Sequence, residues 1–263
     1  MKTKNLGFIL LLVLSASTTT IFYILITDAN SHDSNSTSRT HFNINTLFNS
    51  ECECRKGEAI FLTNHESHLA VNSFDQIRNT TRNLFNISID EFQNLTLTCD
   101  MYAFFRRGKS QKVISYSLYG TNTFYYDKLK DIVKQMKSLY PDWSMRVFHD
   151  NSINRTIKCQ IECLKDDESN EFYDRVDFCN IENEIRSKPK VLVNALNETT
   201  ILSFIQHNLS YIHAMKWRFL PIGDSFVDVF SSRDTDSYLL QREVDSVNVW
   251  LNSDEKGHIM RGN

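Results

Sequence analysis

The chain has 263 residues, of which 41% are hydrophobic and 23% are charged, and its formal net charge is −3. A slightly acidic chain gives no electrostatic reason to expect nucleic acid as a partner. With 7 glycines and 3 prolines, the composition also excludes collagen-like and proline-rich linker architectures.

An uncharged segment near the N-terminus predicts a membrane anchor. Leu6–Thr27 contains no charged residue. As a helix it would be roughly 33 Å long, enough to cross a hydrocarbon core of about 30 Å. Lys2 and Lys4 precede it and Asp28 follows it, so the positive-inside rule keeps the N-terminus in the cytosol. We therefore expect a single-pass type II protein of the Golgi or ER membrane, with residues 1–28 as cytosolic tip and anchor.

A cleaved signal peptide is the alternative interpretation of this segment. Its apolar core would be Leu10–Leu14, and Ser15–Ser17 would supply the small residues of a cleavage site. A second apolar block, Ile21–Ile26, favours the anchor because cleavage would leave it exposed. Both interpretations deliver the remainder of the chain to the secretory lumen.

Acceptor patterns for N-linked glycans agree with a lumenal location. The pattern Asn-x-Ser/Thr, with x not proline, marks surface sites that are glycosylated in secreted proteins. The matching asparagines, three of them clustered within one polar stretch, are Asn35, Asn79, Asn86, Asn94, Asn154, Asn197 and Asn208.

The six cysteines predict disulfides. An even number of cysteines in an oxidising compartment is typical of a disulfide framework, for which six cysteines allow 15 connectivities. A zinc site is the alternative, but the Cys-x-Cys and Cys-x-x-x-Cys spacings lack a matching histidine pair. The sequence leaves the pairing open among Cys52, Cys54, Cys99, Cys159, Cys163 and Cys179.

Composition divides the lumenal part of the chain into a stem and a domain. Residues 29–50 are rich in Ser, Asn, Thr and Asp and bury too little apolar surface to offset their chain entropy, as in a flexible stem. Residues 52–108 show a mixed pattern without a clear fold, and a small disulfide-tied region that leads into the main domain is one interpretation of them. We therefore assign 29–110 to a glycosylated, cysteine-containing stem and 111–263 to the main domain.

The domain begins with the pattern of a strand, a helix and a second strand. Val113–Leu118 is a short apolar run. From Tyr125 to Tyr140 apolar residues recur at three- and four-residue steps, the spacing of one helical face, and Pro141 ends the pattern. The next apolar run is Met145–Phe148. Such a unit predicts parallel strands joined by a helical crossover.

Further elements extend this alternation towards the C-terminus. Strands are predicted at Arg175–Cys179 and Phe226–Ser231, and a helix at the segment that ends with Leu251. Between the strands, Ile201–Met215 mixes apolar and polar residues at near-helical spacing. The alternation predicts an α/β domain.

An acidic pair marks the candidate site. Asp234 and Asp236 follow the predicted strand Phe226–Ser231, and ligands of open α/β sheets bind beyond the carboxyl ends of strands. Carboxylates suit a hard cation such as Mn²⁺ or Mg²⁺, which would hold the diphosphate of a nucleotide sugar and stabilise the departing phosphate. The alternative is that these residues cap the helix that follows.

A resemblance adds weight to the site. The matching stretches are Trp217–Pro221, Val227–Ser237, Arg242–Val244, Trp250–Leu251 and His258–Arg261. With these, residues 111–263 resemble a GT-A-type glycosyltransferase-like family of invertebrates and bacteria. The resemblance implies a GT-A-like, Rossmann-like mixed sheet with flanking helices, preceded here by the anchor and stem.

By position, the resemblance implies roles for several residues. Asp236 would be the direct metal ligand, and Asp234 would serve the metal or the ribose. Arg233 would either contact phosphate or balance the local charge. Ser115 to Gly120 would line the nucleotide pocket. Arg218 and Asp224 also match, either as donor contacts or as structural salt bridges.

The resemblance also bounds what can be expected of the chain. Related sequences continue beyond the Met260-Arg261 pair into a segment that builds the acceptor site and the catalytic base. We therefore expect an incomplete domain and name no catalytic base.

The leading hypothesis is a metal-dependent transferase that moves a hexosyl or related sugar from a nucleotide-sugar donor to a lumenal glycan or glycoprotein. The alternatives are an inactive membrane-anchored binding glycoprotein and a nucleotidyltransferase-like enzyme.

Overall fold

The computed structural model describes residues 52–65, 67–99, 101–165, 173–182, 186–193, 200–206 and 212–259. The predicted anchor, residues 29–50 of the stem, and the acceptors Asn35, Asn197 and Asn208 lie outside these residues. Among the described helices, none is long and apolar enough to cross a membrane.

Three antiparallel strands form the first part of the structure. They are β1 (Glu58–His65), β2 (His68–Asp75) and β3 (Thr80–Ser88), with β2 in the centre of the sheet. Two short helices follow, α1 (Ile89–Gln93) and α2 (Met101–Arg107). The segment assigned from sequence to the stem is therefore folded from β1 onward, which corrects the stem prediction for residues 58–107.

A parallel sheet of four strands forms the second part. The chain runs through β4 (Gln111–Leu118), α3 (Thr123–Leu139), β5 (Ser144–His149), α4 (Arg155–Glu162) and β6 (Val176–Asn180). After β7 (Arg186–Val193), β8 (Thr200–Gln206) and a 3-10 helix (Ala214–Gly223) come β9 (Val227–Ser232) and α5 (Gln241–Leu251). The sheet order is β6-β5-β4-β9, and every neighbouring pair is parallel. The predicted α/β class and parallel crossover unit are confirmed.

Helix α3 shows why the periodic pattern identified it. Asn122 caps its first turn, with Oδ1 accepting a bond of 3.0 Å from the backbone N–H of Phe124. The face that carries Leu129, Ile132 and Val133 is buried against the sheet. The last helical residue is Leu139, two residues before Pro141, as expected for a residue that cannot continue the backbone ladder.

The two sheets share apolar contacts. Phe226, directly before β9, belongs to the same buried cluster as Ile60 of β1 and Phe104 of α2. The rings of Phe104 and Phe226 stack with 3.9 Å between their centroids. Since the first part of the chain buries its apolar face against the start of β9, it belongs to the folded domain.

Three disulfides join the two parts of the chain. Cys52 pairs with Cys159 and Cys54 with Cys163, so two bridges connect the segment before β1 to α4. The third joins Cys99 to Cys179 of β6. Cys159 lies in α4 and Cys163 is its C-cap residue, so the two cysteines, four residues apart, lie on the same side of the helix. All six cysteines form disulfides, which decides between the disulfide and zinc interpretations.

Buried ion pairs accompany the disulfides. Arg55 contacts Glu162 at 2.7 Å, and Arg106 and Arg107 both contact Asp177 of β6. Asp177 is 1% exposed at its side chain, so its charge requires such partners. These contacts hold α2 and the segment before β1 against the edge of the parallel sheet.

One predicted element differs in the structure. The near-helical pattern over Ile201–Met215 corresponds to strand β8, which pairs antiparallel with β7, and to the beginning of the 3-10 helix. The β-branched residues Thr200, Ile201 and Ile205 favour a strand. The spacing of apolar residues over a short window does not distinguish a helix from a strand.

Candidate functional site

The site lies where the strand order of the parallel sheet reverses. From β4 the chain proceeds to β5 and β6 on one side, and β9 is added on the other side of β4. Ser115 of β4 is opposite Ser232 of β9. The backbone N–H of Arg233 continues this pairing with a bond of 2.9 Å to the carbonyl of Ser115. In open α/β sheets, ligands bind in the crevice at such a reversal, outside the carboxyl ends of the strands.

A cavity of about 150 Å³ opens at this position. It is formed by the end of β4, the start of α3, the 3-10 helix and the loop after β9. The residues that line it are Ser117, Leu118, Tyr119, Tyr125, Met215, Arg218, Asp234, Thr235 and Asp236. The acidic pair singled out in the sequence therefore lies in a cavity at the switch of strand order.

Arg218 and Asp234 form an ion pair inside this cavity. Nη1 of Arg218 contacts Oδ1 of Asp234. The position of Arg218 is set by Ser117, whose hydroxyl accepts a bond of 2.9 Å from the backbone N–H of Arg218. The Asp234 side chain is 56% exposed, so its carboxylate is accessible to solvent and ligands.

Asp236 is the second carboxylate of the pair. It is exposed, whereas Thr235 between the two aspartates is buried. The hydroxyl of Ser237 donates to Asp236 Oδ1 at 3.3 Å. Because Thr235 points inward, the two carboxylates are presented on the outer side of the loop.

Helix capping does not account for the acidic pair. The helix that follows is α5, and its N-cap residue is Leu240, without a side-chain capping bond among the described residues. Asp236 precedes that cap by four residues, which is too far for a side chain that caps by bonding two or three residues ahead. The capping interpretation is therefore wrong.

Arg233 faces away from the acidic pair. Its Nη2 contacts Oε2 of Glu243 at 3.1 Å and donates to the carbonyl of Tyr238 at 3.0 Å. Glu243 is buried in α5, and this burial raises the pKa of its carboxyl. Arg233 thus balances the charge of Glu243, and its expected contact with phosphate stays a prediction.

Within the expected range from Ser115 to Gly120, the cavity is lined by the middle residues and not by Ser115 or Gly120 themselves. The Ser115 side chain is fully buried. Its backbone carbonyl accepts the bond from the N–H of Arg233. Gly120 has φ of 76°, a left-handed conformation that glycine adopts freely, and its N–H donates to Ser152 at 2.7 Å. Ser117 and Tyr119, which alternate with Ser115 along the strand, lie nearer its end and reach the cavity. The position of the strand end was the signal that could have singled out Ser117 and Tyr119 within that range.

Asp224 is a structural residue. Its Oδ2 accepts a bond of 2.7 Å from Arg146 and another of 2.7 Å from the hydroxyl of Thr98. Both partners of the Arg146–Asp224 pair are at most 1% exposed at their side chains. Of the two expected alternatives for Asp224, the structure shows a buried salt bridge.

The loop after β9 is attached to α3. The Lys128 ammonium lies 3.7 Å from the centroid of the Tyr238 ring, within cation–π range. The backbone N–H of Leu239 donates to Gln135 Oε1 at 3.0 Å. These contacts fix the loop that carries Asp234 and Asp236 relative to the start of α3.

The donor set suits a cation that is shared with a ligand. Among the described residues, no group of three or more His, Cys, Asp and Glu side chains converges on one point. Mg²⁺ is commonly held by one or two carboxylates together with substrate phosphates and water, without a complete cage of protein ligands. Asp234 and Asp236 fit this second mode, in which bound phosphates complete the coordination.

Comparison with known proteins adds no assignment, since no protein-family model, curated protein or solved structure matches this chain.

Proposed function

We propose that the chain is a metal-dependent glycosyltransferase of the secretory pathway, which transfers a sugar from a nucleotide-sugar donor to a lumenal glycan or glycoprotein. The observation that carries the proposal is the cavity at the reversal of strand order, which contains Asp234, Asp236 and Arg218. A GT-A-like fold is part of this proposal, and the parallel sheet with flanking helices is compatible with it.

The three charged residues suit a metal–diphosphate group. Asp236 would bind the cation directly, because it is exposed and its oxygens contact only a neighbouring serine among the described residues. Asp234 would supply the second carboxylate or bind the ribose. Arg218 would donate to a phosphate oxygen, since its planar guanidinium matches phosphate geometry. The metal would supply Lewis acidity at the leaving diphosphate.

Two features support a lumenal location. Disulfides persist in oxidising compartments and are rare in the cytosol, and the structure contains three. The acceptors Asn79, Asn86, Asn94 and Asn154 are all exposed. The proposal places the protein in the Golgi or ER membrane as a single-pass type II protein, held by the predicted helix within residues 1–28.

One observation favours a second candidate, a membrane-anchored binding glycoprotein without turnover. Arg218 already neutralises Asp234, and the described lining of the cavity holds no further carboxylate or histidine to act as a base. A cavity of this kind can bind an anionic ligand at Arg218 without catalysing transfer.

A thermal-shift experiment tests the proposal. The full chain, produced in a secretory host, is heated with each of a panel of nucleoside diphosphates, in Mn²⁺ and in chelator. A ligand at about 100 times its dissociation constant stabilises by about 2.7 kcal/mol. The proposal requires a shift with at least one nucleotide that disappears in chelator. A folded protein that shows no shift contradicts it.

Product analysis separates the candidates. Release of a nucleoside diphosphate in the presence of a sugar donor indicates glycosyl transfer, whereas release of pyrophosphate from a nucleoside triphosphate indicates nucleotidyl transfer. Nucleotide binding without turnover of any donor favours the binding glycoprotein.

A further inference from the structure

Strand β3 has a free edge in the described part of the chain. It pairs with β2 on one side and is the last strand of its sheet. Thr80, Thr81, Arg82 and Asn83 are exposed, as is Asn86 further along the strand. The opposite edge differs, because β1 is largely buried and the Tyr102 hydroxyl of α2 donates to Glu58 at 2.6 Å.

A free edge of this composition favours pairing with another chain. Unpaired N–H and C=O groups along an edge strand form a template for a further strand. The sequence of β3 is rich in threonine and apolar residues and contains a single charged residue, Arg82. Proteins usually protect such edges with lysines, prolines, bulges or a covering element. β3 has one of these devices, an irregularity at Leu84 where its register with β2 shifts. The exposed stretch from Thr80 to Asn83 lies before that shift and contains no lysine or proline, so it needs protection of another kind.

Two glycan acceptors occur along this edge. Asn79 lies in the turn between β2 and β3 and is exposed, with φ of 49°. Asn86 is exposed on β3, and its Oδ1 accepts a bond of 3.4 Å from Asn83 Nδ2. That contact uses the oxygen of the Asn86 amide, whereas a glycan is attached to the nitrogen. Seven residues of strand separate the two acceptors by about 23 Å, so they stand at the two ends of the exposed edge.

We propose that Asn79 and Asn86 carry N-linked glycans and that these glycans cover the free edge of β3. The donor would be a lipid-diphosphate-linked oligosaccharide. Asn Nδ2 loses one proton and forms a bond to the anomeric carbon, while the bond from that carbon to the diphosphate oxygen breaks and its electron pair leaves with the lipid diphosphate. The inference needs a lumenal location, which the disulfides support, and does not depend on the proposed transferase activity.

The glycans would act by steric exclusion. An attached oligosaccharide is bulky and strongly hydrated, and it extends well beyond the side chains of a strand. With one glycan at the turn and one near the end of β3, an incoming strand cannot approach the exposed backbone groups over the intervening residues. The modification would thus take the place of the lysines and prolines that this stretch of the strand lacks.

The first experiment measures occupancy. The full chain from a glycosylating host is treated with an amidase that releases N-glycans in heavy-oxygen water, which converts each occupied asparagine to a labelled aspartate. Peptide mass spectrometry then reports each site separately. The proposal requires label at both Asn79 and Asn86, and label at neither residue overturns it.

The second experiment tests the role of the glycans in variants. Asn79→Gly removes one acceptor and suits the left-handed backbone at this position, and Asn86→Gln removes the other. Asn94→Gln is the matched control, because Asn94 is an exposed acceptor at the end of α1, outside β3. Sedimentation of the full chain in detergent should show dimers and larger species for the double variant, whereas the unaltered chain and the control remain monomeric.

A rescue variant separates edge pairing from misfolding. Adding Thr81→Lys to the double variant places a charge on the exposed edge, which opposes strand addition. We expect it to restore the monomer. A double variant that sediments like the control overturns the proposal. So does a double variant whose self-association comes with a lowered melting temperature and persists after Thr81→Lys.

Discussion

Arg218 and Asp234 come from different elements, the 3-10 helix before β9 and the loop after it, and form an ion pair within the cavity. An ion pair in contact with water contributes about 0–1 kcal/mol to stability. Its main effect is to hold a cation and an anion next to each other at the carboxyl ends of β4 and β9. A ligand that brings both a metal ion and a phosphate can satisfy both groups at once.

The first prediction concerns Asp236. We expect Asp236→Asn to abolish the manganese-dependent thermal shift with nucleotides, because the neutral amide is a much weaker ligand for a hard cation. The melting temperature without ligand should remain unchanged, since Asp236 is exposed. Asp228→Asn is the matched control, because Asp228 is an exposed aspartate on β9. If nucleotides raise the melting temperature of both variants equally, Asp236 does not bind the metal.

The second prediction concerns Arg218. We expect Arg218→Ala to weaken nucleoside diphosphate binding in titration calorimetry. It should lower the free energy of unfolding by about 1 kcal/mol, because the Asp234 side chain is 56% exposed although that of Arg218 is only 18% exposed. Arg218→Lys should recover part of the affinity, because lysine keeps the charge but not the planar donor geometry. If Arg218→Ala instead binds diphosphate more tightly, Arg218 does not bind phosphate and only neutralises the Asp234 carboxylate.

The third prediction concerns the bridges Cys52–Cys159 and Cys54–Cys163. They span 107 and 109 residues and therefore close almost the same loop. With either one intact, the other restrains the unfolded chain very little. We expect alanine replacement of one bridge to cost little stability and replacement of both to cost about 4–5 kcal/mol. Urea unfolding measures this, and additive costs for the single removals would contradict it.

The fourth prediction concerns acid stability and Asp177. Burial by itself raises the pKa of this carboxyl, but the guanidinium groups of Arg107 and Arg106 outweigh burial and hold its pKa well below the usual range. The folded pKa is depressed, so the stabilisation is complete above the unfolded value of about 3.9 and declines as pH falls below it.

Urea unfolding between about pH 5 and about pH 2, a range that includes the unfolded pKa of about 3.9, tests that assignment. The native chain should lose stability steeply below about pH 4. In this range the Asp177 carboxyl binds a proton in the unfolded chain but stays ionised in the folded chain. The Asp177→Asn variant should be less stable at neutral pH, and its free energy of unfolding should change less with pH. A slope equal to that of the native chain would show that other carboxylates govern the acid transition.

Local patterns in the sequence were sufficient for the elements of the parallel sheet. Val113–Leu118, the helical face from Tyr125 to Tyr140, and Met145–Phe148 fall within β4, α3 and β5, apart from the last residue of the helical pattern. Burial on one face imposes a period on the residues themselves, so these elements are visible in the sequence. The first 50 residues and their predicted anchor lie outside the described structure and stay a prediction.

Contacts between distant residues were decided only by the folded chain. The cysteines allowed many pairings, and the folded chain forms Cys52–Cys159, Cys54–Cys163 and Cys99–Cys179. Arg218 and Asp224 both matched a site or a salt bridge, and the structure places Arg218 in the cavity and Asp224 against Arg146. The sequence marks which side chains are charged. Which of them become partners depends on strand order and packing, since these bring together residues that no local pattern relates.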